Sequence, residues 1–307
     1  MAPDPAAADR AERGRAWRRR AAEALGPIGA DRVATRASSV PWDDRLVVDA
    51  WAVRAAERCL ASLGGTAPEF VESATTARRR LALAVLGVLA DDPRLTPVDA
   101  ARRVLDDPDG LPWGLREWFD GLGEGGTAAA VGAALAHVGA LLDWLHPSSL
   151  TAVRVARPSD RLEWRLPGTT VFVRGRVDAT HGPANPAERV LLVVLGGGWD
   201  RHVVDVEVGH AALAWTLNSG AMPARVSWVH LPTGHDGRVA PDDDVLAAAL
   251  DRVGGALAAR VAARFGPDAA TSPGSWCRWC DRRDGCAPGQ AWLAAAPRRV
   301  GGLPLRA

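Results

Sequence analysis

The most specific stretch of this chain is residues 273–286, which read PGSWCRWCDRRDGC. It places Cys277, Cys280 and Cys286 in a C-x2-C-x5-C pattern. In a compartment that keeps thiols reduced, such spacing is typical of a metal site rather than of disulfides. Three thiolates need a fourth ligand, and the one other cysteine of the sequence is Cys59. A shared metal centre would therefore join residue 59 to the C-terminal part of the chain and constrain most of the fold.

Four thiolates can hold either a 4Fe-4S cluster or tetrahedral zinc. A third interpretation leaves the cysteines without metal, and Cys59 in particular could be a small buried hydrophobic residue. In that case a histidine would have to complete a zinc site, and the candidates are His202, His210, His230 and His235. The seven histidines show no H-x3-H or H-E-x-x-H spacing, so each is otherwise expected to be an ordinary core or surface residue.

The composition limits the chemistry available to the chain. All 37 basic residues are arginine, because the sequence contains no lysine, and it contains no tyrosine. This excludes the phosphate-binding G-x-x-x-x-G-K-S/T loop, a Schiff-base mechanism and a lysine general base. Because the formal net charge is only +1, binding to a polyanion would have to come from local positive patches. The N-terminus lacks the apolar stretch of a secretory signal and no long uninterrupted apolar run is found, so a cytoplasmic protein without membrane contact is expected.

Patterning divides the 307 residues into five regions. Residues 1–30 carry six arginines around Trp17 with few other large apolar side chains, which predicts a flexible arm. Residues 31–148 follow a helical period and carry Cys59. Residues 149–270 mix strands with helices, residues 271–290 form the cysteine-rich loop, and residues 291–307 are a tail.

The region 149–270 predicts a mixed sheet flanked by helices. Arg161–Leu166 and Thr169–Asp178 have the pattern of two paired strands. Val190–Leu195 has no polar alternation, which is typical of a central strand covered on both faces. Helices are predicted at Val204–Leu217 and Asp242–Phe265, with a strand at 225–231 between them. The fold class is therefore α/β, of the α+β type.

An upstream cysteine on a helix, a strand-rich core and a C-terminal C-x2-C-x5-C segment together resemble the PD-(D/E)XK nucleases of the RecB/AddB type. The resemblance covers about residues 35–290, and the cysteine segment is its specific part. It implies a nuclease-like core behind a large N-terminal helical region, closed by a C-terminal cysteine clasp. In that clasp Cys59, Cys277, Cys280 and Cys286 would hold a 4Fe-4S cluster, with zinc as the alternative.

The catalytic motif that the resemblance implies is incomplete. Asp178 ends an Arg-Gly-Arg-Val-Asp run and lies at the position of the family's first metal-binding aspartate. On the following strand, the acidic position of the motif is Val194 and its lysine position is Gly196. Asp200 and Glu207 lie downstream, but one carboxylate makes a weak magnesium site. Asp178 is therefore predicted to be vestigial, and no catalytic residue is assigned.

These features predict a pseudo-nuclease, an iron–sulfur protein that binds DNA, a partner protein or both without cleaving phosphodiesters. The residues with cationic or flat side chains suited to nucleic acid are Arg174, Arg176, Arg278, Arg282, Arg283, Trp276 and Trp279. Alternatively, the two tryptophans shield the cluster and the neighbouring arginines face solvent or pair with aspartates. Two other functions stay open, a divergent Mg- or Mn-dependent DNA exonuclease and a cluster-based redox or iron-responsive regulator.

Overall fold

A computed structural model gives the architecture of most of the chain. The residues that it describes are 4–33, 45–64, 72–107, 111, 114–145, 147–156, 160, 162–197, 199–265, 270–280 and 282–295. Helices fill the first half of this part of the chain, and strands alternate with long helices in the second half. The helices and strands are α1 (Pro5–Val33), β1 (Leu46–Val48), α2 (Ala50–Arg58), α3 (Ala74–Asp91), α4 (Pro97–Asp106), α5 (Leu115–Asp120), α6 (Gly123–Trp144), β2 (Val153–Val155), β3 (Leu162–Arg165), β4 (Val171–Gly175), β5 (Ala179–His181), β6 (Val190–Leu195), α7 (Arg201–Ser219), β7 (Arg225–His230), β8 (His235–Val239), α8 (Asp243–Phe265) and α9 (Ala287–Ala295).

The larger of two sheets has five strands in the order β2-β5-β6-β7-β8. β6 and β7 run parallel, with Leu192 opposite Ser227, because α7 connects them as a crossover. The other neighbouring strands are antiparallel. β6 has a strand on each side, as its unbroken apolar sequence predicts. The mixed sheets and flanking helices confirm the coarse prediction of an α+β protein.

The smaller sheet has the order β1-β4-β3. β3 and β4 are antiparallel neighbours, so the predicted strand pair is confirmed. β1 lies parallel to β4, with Leu46 opposite Val171. The expectation of helix throughout residues 31–148 is therefore wrong at β1. A strand of three residues is too short to show its period in sequence, and only pairing with β4 defines it.

The five-stranded sheet separates two hydrophobic cores. Leu191 and Val193 of β6 face the core that α1, α2, α7 and α8 build. Leu192 and Val194 face the opposite core, which α3, α4, α5 and α6 build. Successive side chains of a strand point to opposite faces, so Leu191–Leu195 are buried against one core or the other. Burying each such side chain stabilises the fold by about 1.5–3 kcal/mol.

The N-terminal region is a packed helix rather than the expected flexible arm. α1 places Trp17, Ala21 and Leu25 in the core against α7 and α8. Trp17 is only 3% exposed, and its indole N–H donates to Asp243 at 2.8 Å. The arm prediction is wrong because the buried stripe consists of one tryptophan, one leucine and small residues, which give little signal among six arginines.

α7 and α8 lie close to their predicted bounds. α7 begins three residues early, because Asp200 accepts a hydrogen bond from the His202 N–H and so caps the helix. It ends at Gly220, which has φ of 77° and closes the helix in the left-handed conformation. The α8 residues Leu246 and Leu257 are fully buried, as the predicted apolar stripe requires.

α6 is the one helix of the described residues that is long and apolar enough to cross a membrane, by length and composition only. Its alanines raise the mean hydropathy without forming an uninterrupted run of large apolar residues, so the sequence did not predict a span. Ala134, Val138 and Leu141 are buried in the core beside α3. Such a helix is weak evidence for membrane insertion.

Candidate functional site

All four cysteines line one cavity of about 290 Å³. Cys59 caps the C-terminal end of α2, and Cys277 and Cys280 lie at a 3-10 turn, Ser275–Trp279. Cys286 immediately precedes α9. Cys59 and Cys277 are buried, and the other two are partly exposed. The structure thus brings residues from the second helix and the last segment to one place.

Two hydrogen bonds join the distant segments that line this cavity. The Ala61 N–H donates to the Ala270 carbonyl at 3.2 Å. The Arg282 guanidinium donates to the Ala61 carbonyl at 2.7 Å. These bonds hold the residues after Cys59 against the loop that carries the other cysteines. Residues about 200 positions apart are therefore fixed next to each other.

The surroundings of the sulfurs suit thiolate ligands. The Ser272 N–H lies 3.5 Å from Cys59 Sγ, and the Gly274 N–H lies 3.4 Å from Cys277 Sγ. Backbone donors to sulfur stabilise negative charge on a metal-bound thiolate. A Cβ at Gly289 would lie 3.2 Å from Cys286 Sγ and 3.4 Å from Cys277 Sγ. The space beside both sulfurs thus depends on the absence of a side chain at position 289.

Within the part of the chain that the structure describes, no three His, Cys, Asp or Glu side chains are grouped closely enough to hold one metal ion. Four thiolates around one zinc would each lie about 2.3 Å from it. The four cysteines share the lining of the cavity with other residues, and they are not drawn together around one point as a zinc ion would require.

The histidines that could have completed a zinc site lie elsewhere. His202 contacts Glu57, and His210 contacts the Arg174 carbonyl. The other two, His230 and His235, each contact the hydroxyl of one threonine on the turn between β7 and β8. Among the described residues that line the cysteine cavity, no histidine is present.

Asp178 is buried immediately before β5, and three donor groups contact its carboxylate. Arg79 of α3 donates to Oδ1 at 3.0 Å, and Arg176 Nε lies 3.4 Å from the same oxygen. The Val194 N–H donates to Oδ2 at 2.7 Å. Val194 was expected at the acidic position of the nuclease motif. Its backbone N–H instead donates to Asp178. An arginine from the helical region contributes the positive charge.

Arg79 is itself nearly enclosed. Burial lowers the pKa of its guanidinium, while the neighbouring Asp178 carboxylate raises it. Its Nε is buried without a hydrogen-bond partner among the described residues. A guanidinium keeps its charge under these conditions, since arginine is not deprotonated in proteins. Arg79 and Asp178 therefore form a buried ion pair.

A cleft of about 430 Å³ opens above this pair. Its charged lining residues are Arg54, Arg58, Arg79, Arg176, Asp200 and Glu207. Glu207 pairs with Arg54, and Asp200 caps α7. Arg58 is exposed and has no hydrogen bond or ion pair within the described residues. Glu207 is thus paired with an arginine and Asp200 accepts a helix N–H, whereas the positive charge of Arg58 is available to a ligand.

Trp199 forms one side of the cleft and is 42% exposed. Its ring centroid lies 5.5 Å from that of Trp228 and 4.6 Å from that of His235. The His230 Nε2–H donates to the Gly197 carbonyl at 2.6 Å and so holds the turn before Trp199. Trp228 and His235 therefore pack against the Trp199 ring, and part of the Trp199 side chain remains exposed to solvent.

The residues predicted to contact nucleic acid lie in three places. Arg176 lines the cleft, whereas Arg174 pairs with Glu163 on the small sheet. The Trp276 indole donates to the Ser272 carbonyl at 3.0 Å. The structure does not describe the side chain of Trp279.

Two of the remaining arginines make contacts within the cysteine segment. Arg282 binds Ala61, and Arg283 contacts both Asp284 and the Arg278 carbonyl. These two guanidinium groups fasten the loop, and Arg278 itself is exposed.

Sequence reasoning missed four residues of the cleft, namely Arg54, Arg58, Arg79 and Trp199. Arg54 and Arg58 are four positions apart on the helix that ends at Cys59, which places them on one face. That four-residue spacing is the sequence signal that could have identified Arg54 and Arg58 as neighbours. Arg79 lies in a run of three arginines that is indistinguishable in sequence from a solvated helix face.

No protein-family model matches the chain, and no curated protein matches it either. The nuclease resemblance therefore rests on the motifs and their placement alone.

Proposed function

We propose that the protein is an iron–sulfur pseudo-nuclease that binds nucleic acid without cleaving it. In this proposal the four cysteines hold a 4Fe-4S cluster that joins α2 to the C-terminal segment. The cleft above Asp178 takes the place of the active site and binds phosphate through arginine.

The observation that carries this proposal is the Arg79–Asp178 ion pair. Nucleases of the PD-(D/E)XK type need two carboxylates to hold Mg²⁺, which prefers oxygen ligands in octahedral geometry. Here both oxygens of Asp178 accept from protein donors. Because a guanidinium lies against the carboxylate, a divalent cation would meet positive charge where it needs negative charge.

We assign the cluster to the cysteine cavity, which four potential ligands line. Its donors are four thiolates, two of which receive backbone N–H groups. When bound, a cluster would supply Fe–S bonds between segments that backbone hydrogen bonds already hold together. The chain contributes the converging sulfurs, the donors and the open space at Gly289.

The arginines and the exposed tryptophan of the cleft favour nucleic acid over a protein as its ligand. Arginine binds phosphate oxygens in planar, two-pronged geometry, and an exposed tryptophan offers a surface for an unpaired base. The protein's overall field adds little, since the net charge is +1. Binding should accordingly depend on the cleft arginines and weaken with salt.

Two assays test this function directly. Purified protein is incubated with single- and double-stranded DNA in Mg²⁺ or Mn²⁺, and binding is measured separately in EDTA. We expect no cleavage, and binding to single strands that EDTA does not change. Cleavage that is lost in Asp178→Ala would overturn the proposal in favour of a divergent nuclease.

The cluster is tested by assaying iron, sulfide and zinc in anaerobically purified protein. Iron and acid-labile sulfide in equal amounts, lost together in Cys59→Ser, are the expected result. Stoichiometric zinc without sulfide would show that the four cysteines hold a single ion instead.

One observation favours regulation as a second function. α2 carries Arg54 and Arg58 of the cleft and ends at Cys59 of the cysteine cavity. Loss of a cluster would release the end of this helix and with it the two arginines. A DNA affinity that is the same for cluster-loaded and cluster-free protein would exclude this function.

A further inference from the structure

We propose that the cleft binds a nucleotide that carries a terminal phosphate, with the phosphomonoester on the arginines and the base on Trp199. This inference rests on the proposed function and names the ligand of that site. It also predicts that no metal ion takes part in binding.

Two exposed guanidinium groups of the cleft, those of Arg58 and Arg176, can bind the additional charge and the additional free oxygen of a phosphomonoester. One carboxylate, that of Asp178, faces the two guanidinium groups of Arg79 and Arg176, so one positive charge remains. Arg58 adds a second, since it has no ion-pair partner in the described part of the chain, and the exposed carboxylate of Asp200 in the lining offsets part of this charge. A phosphomonoester carries a charge of about −1.5 to −2 at pH 7, whereas a diester carries −1.

The available donors agree with this assignment. Arg176 is 48% exposed, and its Nη2 lies 3.3 Å from the Val194 carbonyl, which orients the guanidinium at the cleft floor. Arg58 lies one position before Cys59, at the end of α2. A terminal phosphate has three oxygens free to accept from both groups, and arginine matches such oxygens in a two-pronged arrangement.

Trp199 is placed to take the base. Trp228 and His235 pack against its ring, and Trp199 is 42% exposed and lines the cleft. Each base that stacks on an aromatic ring contributes about 1–3 kcal/mol, and every base has a suitable face. The site should therefore accept any base.

The size of the cleft suits one nucleotide. Its volume is about 430 Å³, within the range of roughly 300–1,000 Å³ that is usual for sites that enclose a small molecule. A free nucleoside monophosphate and the phosphorylated end of a strand present the same chemistry to such a site. The experiment has to separate these two sources.

Binding is measured in EDTA with short single strands of one sequence and an internal fluorophore. The strands have hydroxyl ends, a 5′-phosphate or a 3′-phosphate, and a nucleoside monophosphate and its nucleoside serve as competitors. We expect one phosphorylated strand to bind about tenfold more tightly than the hydroxyl strand, the gain of one charge-assisted contact. Competition by the monophosphate at similar concentration would identify the free nucleotide as a second source.

Variants assign the two contacts. Arg58→Ala should lower affinity for the phosphorylated strand more than affinity for the hydroxyl strand, so that the preference is lost, and Arg58→Lys should retain part of it. Trp199→Ala should weaken all strands by about tenfold. Arg15→Ala is the matched control, because Arg15 is also exposed and, among the described residues, without a partner.

Equal affinity for hydroxyl and phosphorylated ends would overturn this inference, and the proposed function would stand if those strands still bind. Failure of every strand to bind would instead refute the proposed function. A preference that survives in Arg58→Ala and Trp199→Ala would place the phosphate outside this cleft and contradict the assignment.

Discussion

Gly285 and Gly289 lie in the same cysteine segment but differ in the space beside them. A Cβ at Gly289 would lie within 3.4 Å of two cysteine sulfurs, while one at Gly285 would meet nothing within 4 Å. We expect Gly289→Ala to lower affinity for the cluster at least about tenfold, as changes next to metal ligands do. Iron and sulfide per chain after reconstitution measure this. Gly285→Ala is the control, and an equal loss in both variants would contradict the sulfur arrangement.

The two ion pairs Arg79–Asp178 and Arg201–Asp205 both have an N–O distance of 3.0 Å but differ in exposure. Asp178 is buried, so Arg79→Ala removes its buried partner and leaves the carboxylate with only the half-exposed Arg176 as a counter-charge. We expect a loss of about 3–5 kcal/mol in the free energy of unfolding. Arg201→Ala breaks an exposed pair and should cost less than about 1 kcal/mol.

Urea denaturation of both variants measures the difference. Similar losses for the two would show that Asp178 reaches water, and the cleft floor would then be open to a cation.

At the scale of elements, two glycines of α1 test whether the N-terminal region packs as a helix. A Cβ at Gly14 would lie 2.5 Å from the Ala221 backbone, whereas one at Gly26 would meet nothing within 4 Å. Gly14→Ala should therefore destabilise the protein by about 1–3 kcal/mol through overpacking. Gly26→Ala should stabilise it by about 0.5–1 kcal/mol, because alanine favours helix. Chemical denaturation distinguishes these results, and stabilisation by both would mean that α1 is detached.

The contact between α7 and β4 should make stability depend on pH. Burial lowers the pKa of His210, although its Nε2–H donates to the Arg174 carbonyl at 2.8 Å. The folded state keeps this ring neutral, and the unfolded chain takes up a proton near pH 6.5. Stability should therefore fall below that pH by at most about 1.4 kcal/mol per unit.

His210→Gln keeps a donor but cannot titrate. The slope of unfolding free energy against pH between about 5 and 6.5 should decrease in this variant. His137 and His181, whose pKa values burial also lowers, account for the slope that remains. An unchanged slope would show that His210 is protonated in the folded protein.

At the scale of the whole molecule, the cysteine cavity joins the beginning and the end of the fold. Loss of a cluster there should destabilise the protein by about 5 kcal/mol, since it reopens a loop of roughly 200 residues. Thermal unfolding before and after anaerobic chelation measures this loss. Cys59→Ser protein is the control, because a chelator should not change its stability further. An unaltered response to chelation in that variant would exclude Cys59 as a ligand.

The hydrophobic patterns predicted α7, α8 and the paired strands β3 and β4 well. These elements are long or adjacent in sequence, so their side-chain periods and turns report local structure. The same method missed β1 and misjudged α1. β1 becomes a strand through a partner more than 120 positions away, and α1 buries one tryptophan and small residues among arginines.

The sequence by itself determined that lysine chemistry is absent, that four cysteines are available as ligands and that helices and strands both occur. Composition, spacing and period depend only on neighbours along the chain, so no fold is needed to read them. Only the tertiary structure decided that Arg79 would occupy Asp178 and that Arg58 and Trp199 would share a cleft. These residues come from α2, α3 and the turn before α7, and packing around the sheet, rather than any local pattern, brings them together.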